Sequence, residues 1–160
     1  MGVVLNNFLE SFCVQGAVGT QIRGNNGYGV RLDGMKVNNY ARFELYGFST
    51  TITNTNGYAT IVVGSNSTPV EPSDYAWNND ITTLTKVSQN CIIADRDGRK
   101  VLRFLLQTTN DTSDDVEVSE VGVIICINGG NNVLIAREVL DTPITVKANG
   151  GAQVFGIDIG

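Results

Sequence analysis

The residues of this chain that could carry chemistry are carboxylates, because the sequence contains no histidine. Histidine is the commonest general base, so its absence excludes Ser-His-Asp and Cys-His arrangements. Two carboxylates can still hydrolyse a glycosidic bond, one as acid and the other as base or nucleophile. The available candidates are Glu44, Asp95, Asp97, Glu117 and Glu120. Their spacing alone brings no two of them together, so solvated carboxylates on strand faces and in turns are the simpler interpretation.

Three patterns resemble metal sites and are incomplete. Asp95-Arg96-Asp97-Gly98 matches the opening of a calcium-binding loop, but the twelfth position is Leu106 where that loop needs glutamate. The acidic segment Asn110–Asp115 offers carboxylates for at most a weakly held cation. The cysteines have no CxxC spacing and cannot complete a four-ligand zinc site: Cys13, Cys91 and Cys126.

Two further motifs have a simple explanation. Asn66-Ser67-Thr68 and Asn110-Asp111-Thr112 fit the glycosylation pattern, but no secretory segment accompanies them. Gly24-Asn25-Asn26-Gly27 lacks the Lys-Ser/Thr of a phosphate-binding loop. The sequence therefore predicts no catalytic residue, no cofactor and no metal ligand, and the protein is expected not to be an enzyme.

The charge pattern limits the partners. Net charge is −5, and the 11 basic residues are spread along the chain without a run. Nucleic acids and anionic membranes are bound by clustered Lys and Arg, so neither is an expected partner. Charged residues make up 17%, against about 25% in ordinary soluble domains. A weakly charged polar surface suits a protein packed against copies of itself, and we expect a homo-oligomer, with a trimer as the first candidate.

The elements that must position these residues are β-strands. Val116 to Val146 holds the most continuous apolar material, and Asn128-Gly129-Gly130-Asn131-Asn132 divides it into the two arms of a predicted hairpin. Glu120 and Arg137 lie on opposite arms, where an ion pair could fix the register. Further strands separated by turns are predicted at residues 12–14, 18–22, 28–32, 40–48, 81–87, 91–94 and 100–107, and Asp95-Arg96-Asp97-Gly98 is predicted to form the turn between the last two. They predict an all-β fold: one antiparallel β-sandwich or jelly-roll-like domain with little helix.

We divide the chain into an N-terminal arm, residues 1–11, and a β-sandwich domain, residues 12–160. Asn56-Gly57 predicts a hairpin between a strand at 50–55 and its return at 58–63. The irregular segment Gly64–Asp80 contains two prolines and predicts one short helical turn around Tyr75-Ala76-Trp77, with the indole covering one end of the core.

The cysteine usage and the absence of a secretory segment predict synthesis in a reducing cytoplasm. No apolar run approaches ~20 residues, so no membrane-spanning helix is expected.

Two segments of the chain carry a resemblance. Ile61 to Pro69 and Pro72 to Ile81 look like a strand ending in Gly-Ser/Thr-Gly-Thr-Thr, then proline, a Ser/Thr-Asp-Tyr turn and a Leu-x-x-x-Ile segment, which is a pattern of structural proteins of tailed bacteriophages. Ser119-Glu120-Val121-Gly122-Val123 and Leu134-Ile135-Ala136-Arg137 are similar to the Ser-Glu-Val/Ile-Gly-Leu and Leu-Ile-Ala-Arg segments of the same proteins and of some tail-fibre modules. The chain departs from the pattern at three positions: Asn66 for Gly, Trp77 for Leu and Val123 for Leu.

The resemblance implies a virion component made in the bacterial host cytoplasm, with other capsid or tail proteins as partners. We favour a capsid-associated auxiliary, decoration or head-fibre protein over a tail, collar or baseplate component. A carbohydrate-binding receptor-recognition module is the alternative from another class, with candidate stacking platforms at Tyr46, Tyr58, Tyr75 and Trp77. A glycosidase using Glu120 or Glu44 is the third hypothesis.

Overall fold

The structure is a computed structural model that describes residues 3–4, 29–37, 46–53, 55, 57–127 and 130–159. These residues form strands and turns and contain no helix. In this part of the chain nothing helical is long and apolar enough to cross a membrane. The strands predicted at residues 12–14 and 18–22, and the part of the predicted strand 40–48 that precedes residue 46, lie outside the described residues.

Ten strands are described, and the longest are in the second half of the chain. Their bounds are β1 Val3–Val4, β2 Gly29–Val30, β3 Lys36–Val37, β4 Gly47–Phe48, β5 Tyr58–Gly64, β6 Thr85–Arg96, β7 Arg99–Asn110, β8 Val116–Ile127, β9 Asn131–Val146 and β10 Gly151–Ile159. They form a five-stranded sheet in the order β1-β9-β8-β5-β4, a three-stranded sheet in the order β10-β7-β6, and a small β2-β3 pair. The predicted all-β, sandwich-like fold is confirmed.

The β8–β9 hairpin is the longest local pairing in the five-stranded sheet. Its outermost registered pair is Val116 with Val146, the two ends of the segment that the sequence singles out. The turn between its arms includes Gly130, which has a φ of 92° that residues with a side chain rarely adopt. Two register shifts interrupt the hairpin, between Val118 and Glu120 and between Val123 and Ile124. The predicted hairpin is therefore confirmed, with bulges that the sequence did not indicate.

One apolar core lies between the two larger sheets. Ile61, Val123 and Ile135 contribute from the five-stranded sheet, and Phe104 and Phe155 from the three-stranded sheet, all with 2% or less of their surface exposed. Only every second residue of a strand enters this core, because successive side chains along a strand point to opposite faces of the sheet. Phe48 also meets Phe104 edge to face, with ring centroids 6.2 Å apart. The chain passes from one large sheet to the other after β5, β7 and β9, so this core joins segments distant in sequence.

The β6–β7 hairpin closes through a two-residue turn. Asp97 and Gly98 have φ values of 50° and 76° and lie between the paired residues Arg96 and Arg99. Positive φ at both central positions is typical of the tight turns that match strand twist. The predicted turn is confirmed. The two strands predicted before it are one continuous β6 with a bulge between Lys86 and Ser88.

Two local predictions are wrong. Residues 50–53 form bends and coil rather than a strand, and β4 pairs with β5 in parallel, Gly47 beside Tyr58, so Asn56-Gly57 does not join antiparallel neighbours. No helical turn forms at Tyr75-Ala76-Trp77. Asp74 closes a tight turn with Glu71 instead, and its carboxylate accepts the Glu71 amide at 3.1 Å. In both places the backbone hydrogen bonds differ from those of the strand or helical turn that local propensity predicts.

In the predicted N-terminal arm, the structure describes only Val3 and Val4. They pair with Arg137 and Ala136 at the edge of the five-stranded sheet. The division between arm and domain stays a prediction.

Candidate functional site

The segment between β5 and β6 folds back over the outer face of the five-stranded sheet. We call residues 65–80 the strap. Its two ends lie side by side, because Ser65 donates to the Asn79 carbonyl at 3.2 Å and Ile81 donates to the Val63 carbonyl at 2.9 Å. A loop whose ends are held together and whose own side chains pack beneath it is an Ω-loop, a class that is frequently functional. The strap is therefore a candidate functional segment of the protein.

Arg137 fastens the strap to the sheet with three hydrogen bonds. Its Nε donates to Glu120 Oε2 at 2.7 Å on the neighbouring strand, which confirms the predicted ion pair. Its Nη1 donates to Asp74 Oδ2 at 2.8 Å, and its Nη2 donates to the Thr68 carbonyl at 3.1 Å. The planar guanidinium suits this role because its donors diverge in a fixed fork. One side chain thus joins the sheet to two separate points of the strap.

The pair is buried, in contrast to the solvated pair expected from an ordinary strand surface. Glu120 is 1% exposed and Arg137 is 5% exposed. Burial raises the pKa of the Glu120 carboxyl, and the hydrogen bond and charge of Arg137 offset only part of that effect. Burial opposes the charge on Arg137 as well, but its bonds to Glu120 and Asp74 prevail and raise its pKa. The guanidinium remains the fixed charge, and Glu120 is the member that titrates.

Glu120 Oε1 is buried without a hydrogen bond of good geometry, although the Asn66 backbone amide acts on the carboxyl closely enough to lower its pKa in part. It lies against Gly64, where an added Cβ would come within 2.4 Å of it. Gly64 and Glu120 are registered neighbours on β5 and β8. The carboxylate therefore occupies the space that a side chain on β5 would take, and Gly64 is required by that close approach.

A second glycine, Gly122, leaves space for the Trp77 side chain of the strap. A Cβ on Gly122 would lie 2.5 Å from Trp77 Cζ3, so the indole rests directly on the β8 backbone. Trp77 is half-buried, and its Nε1 donates to Asp80 at 3.1 Å. Beneath the strap lies a small apolar cluster of Val62, Ile124 and Leu134, joined by Val70, Leu32 and Trp77. The indole was predicted to cover one end of the core, and it covers the outer face of a sheet instead.

A second ion cluster lies on the three-stranded sheet. Arg103 binds Asp158 through two bonds, Nε to Oδ1 at 2.7 Å and Nη2 to Oδ2 at 2.8 Å, and Arg96 adds a third at 3.0 Å. The hydrogen bond from Arg103 lowers the pKa of the Asp158 carboxyl, and burial opposes it. Each arginine side chain is 36% exposed, whereas that of Asp158 is 6% exposed. This cluster fastens the end of β10 to the β6–β7 hairpin.

The candidate catalytic carboxylates do not converge among the described residues. Glu117 is exposed on β8, and Asp95 and Asp97 are exposed at the β6–β7 turn, where Asp95 pairs with Lys100 at 2.7 Å. Glu44 lies outside the described residues. Glu120 is covered by the strap, so a glycan cannot reach it without displacing Arg137. In the part of the chain that the structure describes, no three Cys, Asp or Glu side chains are grouped to hold a metal ion.

The other sequence candidates have structural roles or remain undescribed. Asn110 is fully buried, and its amide donates to the Asp114 and Val146 carbonyls at 2.8 and 2.9 Å, which leaves no nitrogen free for a glycan. Burial raises the pKa of the Cys91 and Cys126 thiols, consistent with small apolar residues. Cys13 and the segment Gly24–Gly27 lie outside the described residues.

Sequence reasoning missed one residue that joins the two large sheets. The Gln89 side chain accepts from the Ile61 amide at 2.7 Å and donates to the Ser49 carbonyl at 2.8 Å. It completes the hydrogen bonding at the point where the short parallel β4 ends beside β5. A half-buried glutamine on a strand carries no sequence signal for this role. Gly122, by contrast, is a glycine in a β-branched run, a recognised sign of close approach.

Comparison with models of known protein families, with curated proteins and with solved structures finds no match to this chain.

Proposed function

We propose that the chain is a non-enzymatic structural protein of a tailed-bacteriophage virion, attached to the capsid as an auxiliary, decoration or head-fibre protein. In this role it assembles through protein contacts, and other virion proteins are its partners. A tail, collar or baseplate component is the alternative placement within the same class.

The observation that carries the proposal is that the two segments with the bacteriophage resemblance form one interlocked unit. Asp74, from the Ser-Asp-Tyr turn, binds Arg137, from the Leu-Ile-Ala-Arg segment. Trp77 rests on Gly122, which belongs to the Ser-Glu-Val-Gly segment. Motifs more than forty residues apart therefore lie in one site and depend on one another, which supports treating them as a single pattern rather than two chance matches.

The burial of the charged residues in this unit agrees with a structural role. Glu120 and Arg137 neutralise each other inside the protein and hold a loop in place, so they offer no group to a substrate. The low charged content of 17% leaves broad neutral polar surfaces, which suit contact with a large assembly.

The test is whether the chain is part of purified particles. Particles of a phage that encodes it are banded on a density gradient, washed in high salt and analysed by mass spectrometry against the major capsid protein. A fixed, reproducible ratio to the capsid protein in every particle fraction is the expected result. Recovery of the chain only in the soluble lysate, away from the particles, would contradict the proposal.

The carbohydrate-binding alternative is favoured by two exposed tyrosines, Tyr46 and Tyr75, which are 66% and 42% exposed. The tryptophan expected to be its best stacking platform is engaged with Gly122 and Asp80. Binding of labelled protein to an array of bacterial surface glycans tests it. Binding lost in Tyr46→Ala or Tyr75→Ala supports a receptor-recognition module, and an array without signal rules it out.

A further inference from the structure

The three-stranded sheet is electrically polar along its strands. Strand β7 begins at Arg99 and ends at Asn110 and is 12 residues long, so its ends lie roughly 36 Å apart at about 3.3 Å per residue. Four of the chain's 11 basic residues lie at its start, on the β6–β7 hairpin: Arg96, Arg99, Lys100 and Arg103. They outnumber the three nearby acids, Asp95, Asp97 and Asp158, by one charge. On a chain of net charge −5 this hairpin tip is locally positive.

The opposite end of the sheet is acidic. The turn that follows β7 and the start of β8 present four exposed carboxylates: Asp111, Asp114, Asp115 and Glu117. Lys147 pairs with Asp115 at 2.8 Å, which leaves an excess of three negative charges there. Lys86 also lies at this end, but it is half-buried, burial lowers its pKa, and the charge of Asp80 opposes that effect. The two ends of one sheet therefore carry opposite charge.

Exposed apolar side chains accompany the charges at both ends. Near the basic tip, Ile93 is 71% exposed and its registered partner Leu102 is 36% exposed, while Ile92 is 44% exposed on the other face. Near the acidic end, Val87 is 53% exposed at the β6 bulge and Val154 is 54% exposed on β10. Apolar residues rimmed by charge are typical of interaction sites.

We propose that the basic hairpin tip of one copy docks on the acidic end of the three-stranded sheet of a second copy. Charge complementarity selects this occupant, because two tips or two acidic ends would repel each other. The contact uses different surfaces on the two partners, so it builds a closed ring or an open filament rather than a symmetric dimer. This proposal does not depend on the virion proposal, because the purified chain would form the contact without any other virion protein.

Sedimentation velocity of the purified full chain over a range of concentrations tests the contact. Association should be about tenfold or more weaker in 1 M salt than in 0.05 M salt, since the Debye length shrinks from more than 10 Å to about 3 Å. Arg99→Glu and Asp114→Lys, both at exposed positions, should each reduce association by about tenfold or more. Arg31→Glu and Glu71→Lys change net charge equally, away from both ends, and should leave it unchanged.

Mixing the two variants gives the most specific result. The intact basic tip of the Asp114→Lys variant can dock on the intact acidic end of the Arg99→Glu variant, but no further copy can add to either. The mixture should therefore form a one-to-one dimer at concentrations where each variant alone, which associates about tenfold or more weakly than the native chain, is mostly monomeric. Ile93→Ser, which alters an exposed side chain only, should also weaken association in the native background. A native chain that is monomeric at all concentrations, or variants that associate as the native chain does, would overturn the proposal.

Discussion

Replacing Arg137 with methionine removes the charge that holds the strap while keeping an unbranched side chain of similar length. Glu120, which is 1% exposed, would then lose the hydrogen bond that Oε2 accepts from Arg137. Its buried Oε1 has no hydrogen bond of good geometry that could compensate. Asp74, whose side chain is 27% exposed, can turn to water instead. Removing one partner of a buried ion pair costs about 3–5 kcal/mol, because the other charge stays buried and uncompensated. We expect Arg137→Met to lose a free energy of unfolding of this size at neutral pH.

The loss should shrink as the pH falls. The folded-state pKa of Glu120 is raised above its unfolded value of about 4.3, so folding takes up a proton between these two pKa values. A carboxyl with a raised folded pKa makes the protein more stable as the pH falls through that window. Without Arg137 the shift is larger, and the deficit of Arg137→Met should therefore be smallest near pH 4. A deficit that grows on acidification would show that this sign is wrong.

Urea unfolding followed by tryptophan fluorescence and by circular dichroism measures both effects, since the chain's single tryptophan lies in the strap. The matched control is the double variant Arg137→Met/Glu120→Met, in which no charge is left buried. Replacing a whole buried pair with apolar residues is often neutral or stabilising, so the double variant should lie within about 1 kcal/mol of the native protein or above it. A single variant that loses less than about 1 kcal/mol, as exposed pairs do, would refute the account of the strap.

Three further substitutions test other contacts. Gly122→Ala places a Cβ 2.5 Å from Trp77 and should cost about 1–3 kcal/mol by overpacking, with a red-shifted tryptophan emission as the indole lifts from the sheet. Gln89→Leu leaves the buried Ile61 amide without its acceptor and should cost about 1–3 kcal/mol in urea unfolding. The pKa of Asp158 is lowered by its arginine partner, so its stabilisation is present above the unfolded pKa of about 3.9 and is lost as the pH falls through the folded pKa. Asp158→Asn should therefore flatten the loss of stability below about pH 4.

Each of these three predictions has a measurable outcome that would contradict it. An unchanged emission spectrum in Gly122→Ala would mean that the indole does not rest on β8. Native stability in Gln89→Leu would show that another group satisfies the amide. A variant Asp158→Asn with the same acid-induced destabilisation as the native protein would remove Asp158 from the explanation of that transition.

The fold class could be predicted because it depends on local patterns. The apolar arms around Asn128–Asn132 and the turn at Asp97-Gly98 specify their own hairpins through side-chain alternation and positive φ. The pairing of Glu120 with Arg137 could also be predicted, since both lie on arms of one hairpin. These features require only neighbours in sequence.

What could not be predicted depends on contacts between distant segments. Asn-Gly usually joins two antiparallel strands, but here Gly47 pairs with Tyr58 in parallel and residues 50–53 form bends and coil, so no antiparallel partner precedes the turn. The burial of the Glu120–Arg137 pair depends on where the strap lies, and no periodicity in the strap indicates that. The Gln89 hydrogen bonds also depend on contacts between distant segments. The sequence of a strand does not indicate that one of its side chains bonds to a neighbouring sheet.

The central claim, that the chain is a capsid-associated virion protein, is tested most directly by labelling intact phage particles with an antibody against it and viewing them by electron microscopy. The account predicts gold label distributed over the heads of the particles at many sites. Label confined to tails or baseplates would move the protein to the alternative placement. Particles that carry no label, while the same antibody detects the chain in the lysate, would contradict the claim.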